Sequence, residues 1–482
     1  MATPTMAAAA NDMTQLQRVV CALAFFLLFL GIGRLASLVL HEPLLGYANS
    51  YDMIRLQACH QIWPADKGVD ITDGTPQAPL RRYTLDKQLD TPCFPSSELL
   101  FTGSGIALAQ LKNRVTGETL VSLKMIGLTK AIFLCVTALL ASLYFFRQRM
   151  QQAMLVNGLL MAGVLSDPGI TLYLNTFYTE FSAVYFLYLA LIGLVVAGTA
   201  PRRWFYGLPL LAGLVGLGLS KPQHLPLALL LGTLAGMWLW RQPWRPLAVL
   251  AVLCGALPLL LQASGHWVPR SDNMALANRV NLLGALLADS PDPQALLKSL
   301  GLPADCGELA GKNWYHPVVQ SRQPCQALAT RSHSKLLLLT ASQQPATLLA
   351  MAKTAIPMVQ QWLFPLYGQV EGKTNGRAAE YQRSLGQAVE RMPAVLFTLL
   401  WLLPLPLYLL ALALARKTQQ QGHAAFCVLL ALIQWFVFAV ALYGDGLVDM
   451  AKHAHLAMTA WLASYLALPC MLLRNTGHRA DE

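Results

Sequence analysis

The sequence predicts an all-α membrane protein that crosses the bilayer about ten times. Hydrophobic residues make up 55% of the 482 residues and charged residues only 12%, whereas a soluble domain usually carries about a quarter charged residues. Apolar runs of roughly 20 residues, long enough to span the hydrocarbon core as helices, recur along the chain. The predicted spans are 19–39, 126–146, 152–167, 181–199, 205–220, 225–240, 246–263, 393–415, 424–443 and 456–473.

The basic residues of the short connections predict that both chain termini are cytoplasmic. In this orientation the short outer connections carry only Lys221 and Lys452. The inner connections carry Arg18, Arg147, Arg149, Arg202, Arg203, Arg241, Arg245, Arg416, Lys417, Arg474 and Arg479. Cytoplasmic loops are enriched in Lys and Arg, so the pattern favours this orientation. The net charge of +11 is spread over these connections and does not cluster on a polar domain, which argues against nucleic-acid binding.

Two long segments, 40–125 and 264–392, then fall on the outer side of the membrane. The first is the predicted catalytic loop, and the second, interrupted by Pro and Gly, is predicted to form a small extracytoplasmic helical domain. Its apolar stretch 343–368 is expected to lie along the membrane surface, with an eleventh span as the alternative. The remaining units are a cytoplasmic N-terminus 1–18, seven spans within 19–263 that begin with an uncleaved signal anchor, and three spans with a cytoplasmic tail in 393–482.

Each outer segment contains two cysteines. Cys59 and Cys93 lie in the first segment, and Cys306 and Cys325 lie in the second. Extracytoplasmic compartments permit disulfides, so the sequence predicts one bridge in each segment, with four free thiols as the alternative.

The unusual polar residues gather on the outer face. Asp52 and Arg55 follow the first span on a helix that Asn49 or Ser50 would cap, and their spacing of three places both on one helix face. Further polar residues lie at the same side of other spans, namely Asp167, Asn175, Tyr178, Glu180, Lys221, Gln223, Asp445, Asp449, Lys452, His453 and His455. Ionisable groups at membrane depth are costly and persist mostly where they pair, face a cavity or act in function. The sequence therefore predicts a water-accessible cavity at the outer interface.

Cations and carboxylates together suit sugar transfer from a lipid-phosphate carrier. Cations at the interface hold a phosphate headgroup, and a carboxylate accepts the proton of an attacking hydroxyl. The sequence contains no Walker loop, Rossmann fingerprint or zinc motif. The simpler alternatives are that Asp52 and Arg55 form a structural ion pair, that Lys452 snorkels, that His453 and His455 only hydrogen-bond, and that Tyr178 belongs to an aromatic belt. A transporter or flippase of lipid-linked saccharides and a non-catalytic scaffold remain alternative functions.

Five motifs in order resemble the multi-pass bacterial glycan-biosynthesis hexosyltransferases of the GT-C structural class. The resembling segments are ANSYDMIR, SDPGITLYLNTFYTE, SKPQHLPL, ADSPDPQALLKSLGLPADCGELAGKNWYHP and GDGLVDMAKHAHL. Tyr51 stands where the family commonly has Gly, and Thr176 and Thr179 replace its usual Ser and Gly. The likeness extends over more than 400 residues.

The resemblance implies a hexosyltransferase of the bacterial cytoplasmic membrane with an extracytoplasmic active site. It implies a polyprenyl-phosphate-linked hexose donor, a glycan or lipid acceptor, and inversion at the anomeric carbon. Asp52 would be the general base and Glu180 a second catalytic carboxylate. The expected donor-phosphate ligands are Arg55, Lys221, Lys452 and His453, and the expected substrate-positioning residues are Asn49, Asp167, Asn175, Tyr178, Gln223 and Asp449. A metal is not expected to be required, although Asp52, Asp167 and Glu180 are candidate ligands for a divalent cation.

Overall fold

The computed structural model describes residues 14–468 apart from 49–50, 67–77, 86–88, 90, 200–203, 242–244, 266, 269–271, 323, 364–367, 383 and 416–417. The described chain is mostly helical. Its first ten helices are α1 (Gln15–Val39), α2 (Tyr51–His60), α3 (Leu99–Thr116), α4 (Leu123–Arg147), α5 (Gln151–Leu160), α6 (Pro168–Thr171), α7 (Glu180–Thr199), α8 (Leu208–Gly218), α9 (Leu225–Leu239) and α10 (Arg245–Ala263).

The second half contains the helices of the outer domain and the last membrane helices. They are α11 (Asp272–Asp289), α12 (Pro293–Leu300), α13 (Pro317–Arg322), α14 (His333–Gln343), α15 (Pro345–Val359), α16 (Leu385–Glu390), α17 (Ala394–Leu402), α18 (Pro404–Leu414), α19 (Thr418–Asp445), α20 (Met450–His453) and α21 (His455–Ala467). Short 3₁₀ turns span Trp204–Gly207, Pro222–His224, Ala304–Leu309, Gln326–Thr330 and Ala378–Glu380, and a π-helix spans Met161–Leu165.

Six helical segments of the described chain are long and apolar enough to cross a membrane. They are Gln15–Val39, Leu123–Arg147, Glu180–Thr199, Arg245–Ala263, Ala394–Leu414 and Gln421–Asp445. Each coincides with one of the ten predicted spans. The prediction of a helical, multi-pass membrane protein is therefore confirmed.

The other four predicted spans are shorter helices, so the count of ten remains a prediction. Helices α5, α8, α9 and α21 have 10, 11, 15 and 13 residues. At 1.5 Å per residue, a 15-residue helix covers about 22 Å of a hydrocarbon core about 30 Å thick. Helix α5 continues into the π-helix Met161–Leu165, and α21 ends beside residues 469–482, which lie outside the described chain. Helix α15, within the stretch 343–368, is also a short apolar helix.

The first outer segment has more structure than the sequence pattern predicted. It contains α2, the 18-residue helix α3 and a three-stranded antiparallel sheet of β1 (Trp63–Pro64), β2 (Arg82–Thr84) and β3 (Val121–Ser122). In the register of this sheet Trp63 faces Thr84 and Arg82 faces Ser122. An exposed apolar stripe runs along α3 through Leu100, Leu108, Leu111 and Val115.

Both predicted disulfides are present. Cys59 is bonded to Cys93, and Cys306 is bonded to Cys325. The first bridge joins α2 to the segment that leads into α3, and the second closes part of the helical domain between α11 and α14. The prediction of one bridge in each outer segment is therefore confirmed.

The helical domain α11–α16 is joined to the membrane helices at the end of α19. Asn281 of α11 donates from Nδ2 to Oδ1 of Asp445 at 2.7 Å, and Nε2 of His333 lies 2.6 Å from the Tyr443 carbonyl oxygen. The hydroxyl of Tyr443 in turn donates to the Leu348 carbonyl at 3.1 Å. Gly446 adopts a φ of +67°, and a Cβ added there would lie 2.5 Å from the Asn281 carbonyl oxygen. Both the backbone conformation and the close approach of α11 therefore favour glycine at this position.

The predicted sidedness can be tested with single cysteines. We expect Leu338→Cys, on exposed α14, to react in intact cells with a maleimide that does not cross the membrane. We expect Gln148→Cys, exposed just after α4 at its predicted cytoplasmic end, to react only after lysis. Mass-shift labelling checks both positions, with the parent protein as the background control. Equal labelling of both positions in intact cells would contradict the orientation.

Candidate active site

Two lysine–carboxylate pairs form the centre of the candidate site. Lys452 of α20 is hydrogen-bonded to Asp52 of α2, a residue 400 positions earlier in the chain. Nζ of Lys221 lies 3.2 Å from Oε1 of Glu180, the first residue of α7. Nζ of Lys452 also lies 4.7 Å from the ring centre of Tyr178, which is a cation–π contact. Four separate regions of the chain thus meet at one place.

The burial of these charges differs across the site. The Asp52 side chain is 41% exposed, whereas Lys452 is 3% exposed and Glu180 is 1% exposed. Oε2 of Glu180 is buried and has no hydrogen-bond partner among the described residues. A buried acceptor of this kind is a position where a substrate hydroxyl can donate.

The charges around Asp52 keep it ionised. Burial alone would raise the pKa of its carboxyl, but the positive charges of Lys452, Lys221 and Arg55 outweigh burial and hold the pKa well below its usual range. Arg55 Nη1 lies 3.7 Å from Asp52 Oδ1, as the predicted shared helix face requires. Burial would likewise lower the pKa of Lys452, and the charge of Asp52 reverses that effect and raises it. Both groups are therefore charged at neutral pH.

His453 and Gln223 join the site to the outer domain. Nδ1 of His453 lies 3.1 Å from Oε1 of Gln223, and its Nε2 lies 3.2 Å from Oδ2 of Asp445. Gln223 Nε2 donates back to the His453 carbonyl at 3.2 Å. Asp445 also accepts from Asn281 of α11. One series of polar contacts therefore runs from Gln223, in the turn Pro222–His224, through His453 and Asp445 to α11.

The backbone around Asp449 presents Lys452 and His453. Asp449 has a φ of +46°, a conformation that non-glycine residues rarely adopt. Its carbonyl accepts from the N–H groups of both Lys452 and His453 at 2.9 Å. The strained residue therefore begins the short helix α20 and turns its two basic side chains toward α2 and α19.

Asp167 and Asn175 make structural contacts outside this cluster. Asp167 is fully buried and caps α6; its Oδ1 accepts from the Gly169 N–H at 3.0 Å, and its Oδ2 accepts from the Gly386 N–H at 3.1 Å. Arg34 lies 3.7 Å from the same carboxylate.

Asn175 donates to the carbonyls of Val39 and Leu45 at 3.2 and 2.7 Å and so holds the start of the first outer segment. The substrate-positioning roles of Asp167 and Asn175 remain predictions. Asn49 lies outside the described residues.

The three carboxylates considered for a divalent cation are held by different partners. Asp52 pairs with Lys452, Glu180 pairs with Lys221, and Asp167 is bonded to backbone N–H groups. In the part of the chain that the structure describes, no three His, Cys, Asp or Glu side chains are grouped to hold a metal ion. A cation held by this trio remains an untested expectation.

A second buried ion pair, not identified from the sequence, supports the site. Nζ of Lys130 lies 2.7 Å from Oε1 of Glu98, and both side chains are fully buried. Lys130 also donates to the carbonyls of Tyr173 and Thr176 at 3.1 and 2.8 Å. Glu98 accepts from the N–H of Ser182 at 2.8 Å.

These bonds hold both ends of the segment that carries Tyr178 and Glu180. One half of this ion pair could have been found from the sequence, because Lys130 is an ionisable residue in the interior of a predicted span. Glu98 gave no comparable signal, because the pattern assigned it to a loop.

We expect loss of the Lys130 charge to destabilise the protein. Lys130→Met leaves Glu98 buried without its cation and should lower the free energy of unfolding by about 3–5 kcal/mol. Glu98→Leu combined with Lys130→Met should recover part of that loss, because an apolar pair has no buried charge. The measurement is thermal unfolding in detergent, followed by tryptophan fluorescence. Lys112→Met is the matched control, since Lys112 forms an exposed pair with Glu118. An unchanged midpoint in Lys130→Met would contradict the expectation.

The comparisons with known proteins agree with this architecture. The family model described as the YfdI N-terminal transmembrane domain matches residues 11–475, which include every segment of the candidate site. No curated protein and no solved structure matches the chain. The match covers nearly the whole sequence, so the chain belongs to the YfdI N-terminal transmembrane domain family, a family of membrane proteins related to glycosyltransferases.

Proposed function

We propose that this protein transfers a hexose from a polyprenyl-phosphate carrier to a glycan or lipid acceptor at the outer face of the membrane. The observation that carries the proposal is the meeting of Asp52 with Lys452 beside the pair of Glu180 and Lys221. These pairs supply cations for a phosphate leaving group and carboxylates for hydroxyl groups at the same place. The family match supports glycosyl transfer in general.

In this proposal the donor phosphate is bound by Lys221, Lys452, Arg55 and His453. Each of these side chains now has an acidic or amide partner, so the phosphate takes over contacts that carboxylates hold in the free protein. Charge-assisted hydrogen bonds to phosphate oxygens offset the loss of those pairs. Tyr178, Gln223 and Asp449 line the same region and orient the bound sugar.

Transfer then requires one nucleophilic displacement. The acceptor hydroxyl oxygen attacks the anomeric carbon from the side opposite the phosphate, and the bond from that carbon to the phosphate oxygen breaks. The polyprenyl phosphate leaves with the bonding electrons, and the hydroxyl proton passes to the Asp52 carboxylate. The free Oε2 of Glu180 accepts a hydrogen bond from a sugar hydroxyl. The anomeric configuration is inverted.

The ion pair at Asp52 links base strength to donor binding. Lys452 keeps the Asp52 carboxylate ionised, but the lowered pKa also makes that carboxylate a weak base. When the donor phosphate draws Lys452 away, part of this stabilisation is lost and the carboxylate becomes more basic. Asp52 therefore becomes an effective base when the donor is present.

We expect Asp52→Asn to lower the transfer rate by about 10²- to 10⁴-fold, because the amide accepts no proton. The assay uses purified protein in nanodiscs, a radiolabelled polyprenyl-phosphate hexose and an extract of envelope glycans, with product detected by mass spectrometry. Asp66→Asn is the matched control, since Asp66 is an exposed carboxylate of the same outer segment.

Near-normal turnover in Asp52→Asn would remove Asp52 from the mechanism. Movement of the carrier across vesicles without cleavage of the sugar–phosphate bond would instead favour a flippase. No effect of Asp52 or Lys221 substitutions on the envelope, together with a strong effect of deleting the domain 264–392, would favour a scaffold.

The lowered pKa of Asp52 predicts the shape of the pH profile. We expect kcat/KM of the wild type to show no decline from Asp52 protonation between about pH 8 and pH 5, because the carboxyl stays ionised well below its usual pKa. In Lys452→Met, the Asp52 carboxyl loses the positive charge that most strongly lowers its pKa, so its pKa is higher than in the wild type. Asp52 then becomes protonated at higher pH, and activity falls as the pH decreases. The control is Lys335→Met, which removes an exposed lysine of α14. If kcat/KM decreased with falling pH in the same way in Lys452→Met and in the wild type, the role of Lys452 in keeping Asp52 ionised would be contradicted.

A further inference from the structure

A short turn of the outer domain, Asn313–His316, is held rigidly. The Tyr315 N–H donates to Oδ1 of Asn313 at 3.0 Å, which closes the turn, and the Val318 N–H donates to Nδ1 of His316 at 3.2 Å. The turn leads directly into α13. Its conformation is therefore set before any ligand binds.

This turn is connected to the candidate active site by successive hydrogen bonds. The Trp314 N–H donates to Oδ1 of Asn281 at 2.7 Å, and Nδ2 of Asn281 donates to Oδ1 of Asp445 at 2.7 Å. The other oxygen of Asp445 lies 3.2 Å from Nε2 of His453. Trp314, the neighbour of Tyr315, is therefore linked through Asn281 and Asp445 to His453, a proposed phosphate ligand.

Tyr315 is highly exposed on a turn that lies outside the predicted membrane spans. It is 73% exposed, more than any other aromatic side chain in the described ranges. Phe26 and Phe29, which are 62% and 57% exposed, lie on the membrane helix α1. An exposed ring on a membrane helix is explained by contact with lipid, but that explanation does not apply to a turn of the outer domain.

The hydroxyl of Tyr315 lies within electrostatic range of the acidic groups of the site. Partial burial of the hydroxyl raises its pKa, and the negative charges of Asp52, Asp445 and Asp449 raise it further. The Tyr315 side chain therefore lies near the carboxylate proposed as the base, while most of the residue stays open to solvent. A ring in this position can contact a molecule that approaches Asp52 from outside the membrane.

We propose that Tyr315 is a substrate-contact residue whose ring stacks on a pyranose ring of the acceptor. The inference rests on the proposed function, because it concerns the acceptor of that reaction. The face of an aromatic ring carries partial negative charge, and the polarised C–H bonds of a pyranose pack against it. The donor reaches the cations from the membrane, whereas the outer domain is the side from which a glycan would arrive.

The test compares two acceptor probes at a saturating concentration of a polyprenyl-phosphate hexose. One probe is an alkyl hexopyranoside and the other is a plain alcohol of the same chain length, both added to protein in nanodiscs free of glycoside detergent. We expect Tyr315→Ala to raise the KM of the hexopyranoside roughly tenfold and to leave kcat and the donor KM within about twofold. Tyr315→Phe retains the ring and should keep the wild-type KM.

The matched control is Tyr381→Ala, which removes an outer-domain tyrosine that packs against His41 and Lys373. It should leave the acceptor KM unchanged. Transfer by the wild type together with an unchanged hexopyranoside KM in Tyr315→Ala would overturn the inference and leave the proposed function intact. Equal KM increases in the Phe and Ala variants, or wild-type transfer to the plain alcohol alone, would also overturn it. Wild-type protein that transfers hexose to no acceptor would refute the proposed function itself.

Discussion

The ion pair of Glu98 and Lys130 is the interaction on which the candidate site depends. Two charges without solvent exposure are costly, and their mutual attraction offsets that cost only when their remaining hydrogen-bonding groups are also satisfied. Here the remaining partners of Lys130 are carbonyls between α6 and α7, where the chain is not helical and its carbonyls lack helical partners. The remaining partner of Glu98 is the Ser182 N–H in the first turn of α7. The pair therefore stabilises an interruption in the membrane helices, and that interruption presents Tyr178 and Glu180.

The outer domain is attached so that its position and the geometry of the site are coupled. At one end, Asp445 contacts both Asn281 of the domain and His453 of the site. At the other end, Asp167 binds the N–H of Gly386 on α16. A displacement of the domain would break contacts of the partly exposed Asp445 and of the buried Asp167, and the loss is most unfavourable at Asp167, which water does not reach.

The sequence predicted the parts of this structure that follow from the bilayer. Hydrophobic runs located the spans, and the outward clustering of polar residues anticipated that Asp52 and Lys452, 400 residues apart, would meet. The same reasoning could not separate Asp167 from that cluster. An acidic residue at the end of a span gives the same sequence pattern whether it faces a substrate or caps a helix. The same reasoning also missed α3 and the preceding Glu98, because the sequence pattern assigned both to an outer loop. Nor did it single out Tyr315, whose position near the site follows from the bond between the Trp314 N–H and Asn281.

Under the proposed function, the pairing of opposite charges would also determine which donor the site selects. In the free protein Lys452 pairs with Asp52, Lys221 with Glu180, and His453 with Asp445. A neutral lipid that entered would separate these pairs without supplying a new charge, and the separated groups would be poorly solvated. A phosphate-bearing carrier supplies the anion that the cations lose, and it releases carboxylates to accept hydroxyl protons and hydrogen bonds. In the proposed mechanism, selection for an anionic donor is therefore an exchange of ionic partners. The binding of phosphate would then free the Asp52 carboxylate to act as the base in the same step.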